Sequence, residues 1–322
     1  MSEHSRRHKP PTSQRTIVLV SPHGFCAGVT RAVEVAETLL RNYSKPVYCL
    51  REIVHNTQII RDLASRGLIF VDAVADIPEG ATALFSAHGV SPAVREAAAA
   101  RRLTMIDATC PFVTKVHTEV KRYAAEGYVI FLIGHRAHDE VIGVAGEAPD
   151  RVIVVETADE AREATVPDPA RVAVMSQTTL STDETARVLA VLRERFPALR
   201  TPAESDICYA TRNRQQAVRL LAGRADHFLV LGARNSSNSN RLVEVARAGG
   251  CTATLVTAPE EVDAISLVDV GTLGLTAGAS TPEYVVTETI NRLKVLGFER
   301  VELLEVVKED LHFALPRELK QV

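Results

Sequence analysis

Three cysteines in this chain occupy positions where a thiolate could bind a metal. Cys26, Cys110 and Cys208 each lie at the start of a helical stretch, beside Gly, Pro or Asp residues. A helix N-terminus lowers the pKa of a thiol and favours the thiolate that metals require. The alternative is a small apolar core residue, which is the fate of most free cysteines. We expect that second role for Cys49 and Cys251, which lie within apolar runs.

The number of these cysteines bears on the kind of metal site. Three thiolates would leave one iron of a [4Fe–4S] cluster without a protein ligand, whereas electron-transfer clusters usually have four. An open position is typical of catalytic metal sites, as with zinc, and an open iron could act as a Lewis acid on a substrate oxygen. Residue types alone do not distinguish an iron–sulfur cluster from zinc.

Polar segments rich in His, Ser, Thr, Asn and Gly follow several predicted strands. Ligands of open α/β sheets bind beyond the carboxyl ends of the strands, and helix N-termini favour anions. Each segment alone could be an ordinary helix cap, but together they predict a pocket for a phosphate-rich small molecule. The segments are EIVHN (52–56), SAHGVSP (86–92), GHRAHDE (134–140), SQTTLST (176–182), ARNSSNSN (233–240) and TAGASTPE (276–283).

One carboxylate in these segments is a candidate acid. Glu140 shares its loop with His138, and a carboxyl there could deliver a proton to a leaving hydroxyl. The pattern alone leaves a solvated loop glutamate as the alternative. The chain contains neither GxGxxG nor GxxxxGK[ST], which argues against a bound nucleotide cofactor.

Short β-branched runs alternate with amphipathic helical stretches along the whole chain, which predicts an α/β fold with mostly parallel sheets. The three cysteines recur at similar intervals, each at the start of a helix. This repeat suggests three similar α/β units, each contributing one cysteine. We expect a flexible tail at residues 1–15 and units at 16–110, 111–204 and 205–322, the last with a C-terminal tail.

Charge and hydropathy exclude several classes of protein. The net charge of −3 argues against a broad nucleic-acid interface, which would need a basic face. The sequence contains no apolar run near the roughly 18 residues that cross a bilayer. The first fifteen residues lack the apolar stretch of a secretory signal. With five scattered cysteines, a reducing cytoplasm is the expected location.

Taken together, the motifs resemble those of the 4-hydroxy-3-methylbut-2-enyl diphosphate reductase family (LytB/IspH type), from about Thr16 to about Leu319. The resemblance implies reductive dehydroxylation of that diphosphate to isopentenyl and dimethylallyl diphosphates, the last step of the non-mevalonate (MEP) pathway. The motifs that carry it are GFCAGVTRAVE, EIVHN, FSAHGVSP, IDATCPFVTKVH, IGHRAHDE, SQTTLS, DICYATRNRQQAV, NSSNSNRL and TAGASTPE.

The resemblance also implies a cofactor and an architecture. Cys26, Cys110 and Cys208 match the ligands of one [4Fe–4S] cluster with an open coordination position on one iron. The family fold places three α/β units pseudo-three-fold, as a trefoil, around a central cluster. Flavodoxin or ferredoxin is the implied electron donor.

The remaining site residues fall into two groups by resemblance. His138, Glu140 and Thr178 match the catalytic group around the substrate hydroxyl, with Glu140 as the proton source. Imidazole, hydroxyl and amide groups that bind the substrate diphosphate are expected at His55, His88, Ser236, Ser237, Asn238 and Ser280.

Three positions depart from the commoner family pattern. His23 stands where Arg is frequent, Asp139 where Pro is frequent, and Arg212 where Thr is frequent. Asp139 matters most, because a second carboxylate beside Glu140 could raise its pKa if both were desolvated.

Two other functions compete with this one. A quinolinate synthase-like enzyme could use the same three-cysteine cluster, but its dicarboxylate pocket should be richer in Arg and Lys than these loops. A non-catalytic phosphometabolite-binding protein, with zinc or no metal, is the other alternative.

Overall fold

The computed structural model describes residues 15–43 and 46–321 of the chain. Its strands are β1 (Thr16–Ser21), β2 (Val47–Leu50), β3 (Leu68–Val71), β4 (Thr82–Phe85), β5 (Thr104–Asp107), β6 (Val129–Ile133), β7 (Val152–Val155), β8 (Val172–Ser176), β9 (His227–Leu231), β10 (Thr252–Val256), β11 (Thr272–Ala277) and β12 (Arg300–Glu305). Its α-helices are α1 (Ala27–Asn42), α2 (Thr57–Ser65), α3 (Pro92–Ala100), α4 (Pro111–Ala125), α5 (Asp139–Ala145), α6 (Ala158–Glu163), α7 (Thr182–Arg195), α8 (Tyr209–Ala222), α9 (Ser237–Ala248) and α10 (Glu283–Val295).

The strands form three parallel sheets, in the orders β3-β2-β4-β5, β7-β6-β8 and β10-β9-β11-β1-β12. Helices cover both faces of a strand such as β6. Phe131 packs in a cluster with Val188 of α7, whereas Ile130 packs with Val120 of α4. Strands buried on both faces are continuous apolar runs, as VIFLI is here,. The predicted α/β fold with mostly parallel sheets is confirmed.

One strand lies in a different sheet from the one predicted. The unit expected at 16–110 begins with β1, but β1 lies between β11 and β12, with Thr16 opposite both Thr272 and Arg300. Helix α1, which follows β1, instead packs its Val35 and Leu39 on the first sheet. The apolar run of β1 suits an interior strand, which the third sheet provides.

The predicted tail at residues 1–15 lies outside the described residues except for Arg15. The Arg15 guanidinium donates hydrogen bonds to the carbonyls of Val270 at 3.0 Å and Leu296 at 2.6 Å, and lies 3.8 Å from the centre of the Phe298 ring. Arg15 is therefore anchored on the third sheet's helices and loops, contrary to the predicted flexible tail. No helix in the described ranges is both long and apolar enough to cross a membrane.

A buried arginine joins the last part of the chain to the loop before Cys26. Arg214 in α8 is 1% exposed, and its guanidinium lies 3.2 Å from a Glu309 carboxylate oxygen and donates a 2.8 Å hydrogen bond to the Gly24 carbonyl. These partners bind the two terminal nitrogens of the guanidinium, whereas its Nε has no hydrogen-bond partner among the described residues. A buried charge without such partners would be strongly destabilising.

We expect Arg214→Met to lower the free energy of unfolding by roughly 3–5 kcal/mol, because it leaves Glu309 without its buried partner. Urea unfolding under anaerobic conditions measures this. Arg219→Met is the matched control, since Arg219 lies on the same helix in a more exposed pair with Asp183, and an exposed pair contributes about 0–1 kcal/mol. Equal losses in the two variants would contradict the role assigned to Arg214.

Candidate functional site

A cleft lies where chain segments leave the carboxyl ends of strands from all three sheets. This is the position at which open α/β sheets bind their ligands. Every residue predicted for the site lines the cleft: Cys26, His55, His88, Cys110, His138, Glu140, Thr178, Cys208, Ser236, Ser237, Asn238 and Ser280.

The three cysteines begin three helices that point at this cleft. Cys26, Cys110 and Cys208 are the N-cap residues of α1, α4 and α8, and all three are free thiols. A side chain on Gly28 would place its Cβ 2.6 Å from the Cys110 sulfur and 3.9 Å from the Cys26 sulfur. Both sulfurs therefore border one small space that the glycine leaves open.

The thiol pKa values run against the expectation from helix N-termini. Burial, with a smaller contribution from the neighbouring thiols, raises the pKa of Cys110 to about 12 and that of Cys208 to about 11. Backbone N–H groups of Phe112 and Val113 lower the value for Cys110, as predicted, but by less than burial raises it. Desolvation of a charged thiolate outweighs the helix N-terminus here. Both thiols are therefore protonated at neutral pH until a cation displaces the proton.

Thr211 is a site residue that the sequence analysis missed. Its hydroxyl lies 3.2 Å from the Cys208 sulfur, and its backbone N–H donates to the same sulfur over 3.5 Å. The Asn238 amide also donates to the Thr211 hydroxyl, at 3.4 Å. The spacing of three residues after a helix-capping cysteine is the signal that could have found it.

Glu140 is a buried acid and not the solvated loop residue that the pattern alone allowed. It is 2% exposed, near the start of α5. Thr178 donates to both carboxylate oxygens, its N–H at 2.7 Å and its hydroxyl at 2.9 Å. Burial raises the pKa of Glu140 to about 7 although these hydrogen bonds lower it. A carboxyl with such a pKa can hold and release a proton near neutral pH.

Thr178 also connects the acid to the third cysteine, because its carbonyl accepts a 3.0 Å hydrogen bond from the Cys208 N–H. One peptide segment therefore fixes Glu140 relative to Cys208. Such double anchoring holds a catalytic geometry in place.

The second carboxylate that acts on Glu140 is Asp206 and not Asp139. Asp139 forms an ion pair with Arg51 at the edge of the cleft, whereas the charge of buried Asp206 helps to raise the pKa of Glu140. Burial raises the pKa of Asp206 itself to about 7, and its carboxylate accepts a 3.0 Å hydrogen bond from the Ser176 N–H. Of the other departures, His23 contacts the Val20 carbonyl and Arg212 is exposed.

Three histidines that line the cleft form one cluster. The rings of His55 and His88 stack with their centres 4.1 Å apart, and His138 approaches them edge-on at 5.2 and 5.7 Å. Burial first, and then the neighbouring imidazoles, lowers the pKa of His138 to about 3 and that of His88 well below its usual value. Both rings are therefore neutral at pH 7.

The tautomer of His138 follows from its contacts. Its Nδ1 accepts a 3.2 Å hydrogen bond from the Glu140 N–H, so in the neutral ring the proton lies on Nε2. His138 therefore presents an N–H donor beside Glu140.

Further polar residues of the cleft come from the start of α9 and from the loop after β11. Ser236 caps α9, and its oxygen accepts hydrogen bonds from the Ser239 N–H and hydroxyl, so its own proton stays available to a ligand. Asn238 accepts from the Ala279 N–H at 3.0 Å, and Ser280 donates to the His55 carbonyl at 2.9 Å. These contacts tie the two segments to each other and to the histidine cluster.

The cleft lining contains no Arg or Lys among residues 15–43 and 46–321. Its polar surface consists of hydroxyl, amide, thiol and imidazole groups and one carboxyl. Part of this surface lies at the N-terminus of a helix, where a bound anion is favoured. These residues therefore do not form the dicarboxylate pocket rich in basic residues that the quinolinate synthase-like alternative requires.

Comparison with known proteins gives a consistent result. A sequence model of the family described as "LytB protein" matches residues 17–294. The chain is 52% identical over 308 residues to a 4-hydroxy-3-methylbut-2-enyl diphosphate reductase of Rhodococcus opacus (strain B4), covering 95% of this chain and 92% of the relative. A protein of the same name from Acidothermus cellulolyticus is 50% identical, with 97% and 92% covered.

The solved structures agree with these relatives. The E-1-hydroxy-2-methyl-but-2-enyl-4-diphosphate reductase from Plasmodium falciparum superimposes with a TM-score of 0.93 at 35% identity, over 96% of this chain and 98% of that one. A second structure, described as an (E)-4-hydroxy-3-methyl-but-2-enyl diphosphate reductase and the terminal enzyme of the non-mevalonate pathway, gives 0.62 at 32% identity. On the extent of these matches, the chain belongs to the LytB family of 4-hydroxy-3-methylbut-2-enyl diphosphate reductases.

Proposed function

We propose that this chain reduces 4-hydroxy-3-methylbut-2-enyl diphosphate to isopentenyl and dimethylallyl diphosphates, the last step of the non-mevalonate pathway. The reaction takes up two electrons and two protons and releases the substrate hydroxyl as water. The observation that carries the proposal is a single cleft that combines three cysteines, a buried acid with a pKa of about 7 and a wall of neutral donors. Family membership adds the substrate.

We infer that Cys26, Cys110 and Cys208 hold one [4Fe–4S] cluster and leave one iron without a protein ligand. Two of the free thiols, Cys26 and Cys110, border the space beside Gly28, and the third, Cys208, lines the same cleft, a set that fits such a group. When bound, the cluster supplies electrons and a Lewis-acidic iron for the substrate oxygen.

The architecture around this centre is part of the same proposal. Three α/β units, at 16–110, 111–204 and 205–322, would surround the cluster pseudo-three-fold, as a trefoil, with β1 exchanged into the third sheet. Support comes from the three sheets, each of which is followed by residues that line the cleft.

The chain's own residues then have separate tasks. Glu140 holds the proton that leaves with the hydroxyl, Thr178 orients the carboxyl, and the Nε2–H of His138 donates to the same oxygen. The diphosphate lies against the N-terminus of α9, where free N–H groups and the helix dipole favour phosphate. The side chains that we assign to the diphosphate are those of His55, His88, Ser236, Ser237, Asn238 and Ser280.

The remaining requirement is a source of electrons. We propose a small one-electron carrier such as flavodoxin or ferredoxin, acting in the cytoplasm. The free thiols of the three cysteines fit a reducing compartment,.

The test is a turnover assay on protein purified and reconstituted with iron and sulfide without oxygen. Reduced viologen serves as the electron source, and both diphosphate products are quantified by mass spectrometry. We expect both products with visible charge-transfer absorbance from the cluster. A cluster-loaded protein that binds the substrate and forms neither product would overturn the proposal, and a colourless protein that binds it would favour the binding-protein alternative.

We expect Gly28→Ala to lower the iron content of the reconstituted protein, because the new methyl group would lie 2.6 Å from the Cys110 sulfur. Iron and acid-labile sulfide analysis per chain measures this. Gly223→Ala is the matched control: it lies at the end of α8, and a Cβ there meets no atom within 4 Å. A normal cluster in the Gly28 variant would show that the space between the sulfurs is not used.

A further inference from the structure

The histidine cluster has a feature that neither the reaction nor the diphosphate requires. One ligand atom each from His55, His88 and Asp139 lies within 4.8 Å of the other two. Two imidazoles and a carboxylate with open positions form a donor set that binds zinc or another first-row divalent cation. We propose that His55, His88 and Asp139 bind a divalent cation, with zinc as the preferred ion, at the edge of the cleft.

The ring nitrogens of His55 are arranged as a zinc ligand needs. Its Nδ1 lies 2.9 Å from a Glu52 carboxylate oxygen, and the amide of Asn235 donates to that same oxygen at 2.8 Å. Because Glu52 accepts at Nδ1, the neutral ring carries its proton there and has a lone pair on Nε2. A carboxylate behind a metal-binding histidine fixes the tautomer and raises the basicity of the ligand.

The other two ligands are also held from behind. The Nδ1 of His88 lies 3.3 Å from the Ser86 hydroxyl, so in the tautomer with the proton on Nδ1 the Nε2 nitrogen has a lone pair for a cation. Arg51 pairs with one oxygen of Asp139, and the carboxylate has a second oxygen to offer. His138 does not belong to the set, because its Nδ1 already accepts from a backbone N–H.

A lone pair and a phosphate oxygen repel each other, whereas a lone pair and a cation attract. In the substrate-free arrangement, the Nε2 lone pair of His55 is therefore available to zinc. Zinc and substrate then compete for the same imidazoles, a consequence that rests on the proposed function. Zinc bound here would raise the apparent KM and leave kcat unchanged.

Asp139 completes the ligand set, because without its carboxylate only the two imidazoles of His55 and His88 would remain.

The test is equilibrium dialysis of cluster-loaded protein against radioactive zinc, with X-ray absorption at the zinc edge to identify the ligands. We expect one zinc per chain with nitrogen and oxygen ligands at about 2.0–2.1 Å and no sulfur at about 2.3 Å. Asp139→Asn should weaken binding by roughly 10–100-fold. Asp159→Asn is the matched control, since Asp159 also lies in the first turn of a short helix and pairs with an arginine, Arg162.

Sulfur ligands, absence of stoichiometric zinc, or equal affinity in wild type and Asp139→Asn would each overturn the proposal. The kinetic arm compares KM with and without zinc in both proteins. Chelation of the substrate by free zinc would raise KM equally in the two, whereas binding at the site raises it in wild type alone. The zinc-free turnover assay is independent of these results, so failure of the cation site leaves the proposed function untouched.

Discussion

Replacing Glu140 with glutamine is expected to reduce turnover by roughly 100- to 10,000-fold, the usual contribution of a general acid, while the cluster content stays normal. Glutamine has the same size and keeps an oxygen for the Thr178 N–H, which now donates at 2.7 Å. The Thr178 hydroxyl can accept from the new amide instead of donating to a carboxylate. The variant therefore loses the transferable proton and little else.

Turnover per cluster, measured at saturating reductant, checks this prediction. Glu184→Gln is a suitable control, because Glu184 pairs with Arg241 at 2.7 Å in the first turn of α7 and does not line the cleft. Wild-type turnover in the Glu140 variant would remove it as the proton source and leave His138 as the only donor we have placed beside the hydroxyl.

Glu140 should also determine how turnover depends on pH. Burial raises the pKa of Glu140 from its ordinary value to about 7, so the protonated form is lost as the pH rises through 7. When proton transfer limits the rate, turnover should fall about tenfold per pH unit above that value. The Glu140→Gln variant should not show this decline, which separates the acid from other titrating groups.

Serine in place of Cys26, Cys110 or Cys208 is expected to abolish turnover, by at least about 100-fold, with loss of the cluster. A serine hydroxyl has a far higher pKa than a thiol and is a poor ligand for iron at neutral pH. The loss should be similar at the three positions, because each sulfur is proposed to hold a different iron. Iron analysis, visible absorbance and turnover are measured on the same anaerobic preparations.

Cys49→Ala and Cys251→Ala are controls in which a cysteine sulfur is also removed. Cys49 is fully buried in the first sheet, and the Cys251 thiol donates to the Ala225 carbonyl. Each should keep its cluster and lose only the 0.5–3 kcal/mol that is typical, in rough terms, of a core substitution. An intact cluster in any of the three serine variants would contradict the proposed ligand set.

The sequence was most informative where local patterns decide the structure. Strand ends followed by polar, helix-capping residues predicted both the cleft and its lining, because parallel strands bring their carboxyl ends to one edge. The alternation of apolar runs and amphipathic helices likewise predicted the parallel α/β fold. The conformation of Glu140 did not follow, since burial depends on segments such as SQTTLST that are distant in sequence.

Long-range pairing was the main source of error. The position of β1 between β11 and β12 depends on which sheet has room for another strand. Local sequence patterns do not show this. Strand β12 was not predicted at all, because RVELLE is mostly exposed and has few of the residues that favour a buried strand,. The Asp139–Arg51 pair and the effect of the Asp206 charge on Glu140 join residues that are far apart in the sequence, and sequence spacing does not reveal them.

The position of β1 has a consequence for biosynthesis. A ribosome makes Thr16–Ser21 first, but the strands on its two sides, Thr272–Ala277 and Arg300–Glu305, are made last. The nascent amino-terminal segment has no native neighbours until almost the entire polypeptide has emerged, a topology that slows folding and exposes an apolar run in the meantime. Because Cys26 lies only a few residues beyond Ser21, it too can reach its native position only after Thr272–Ala277 and Arg300–Glu305 have been made.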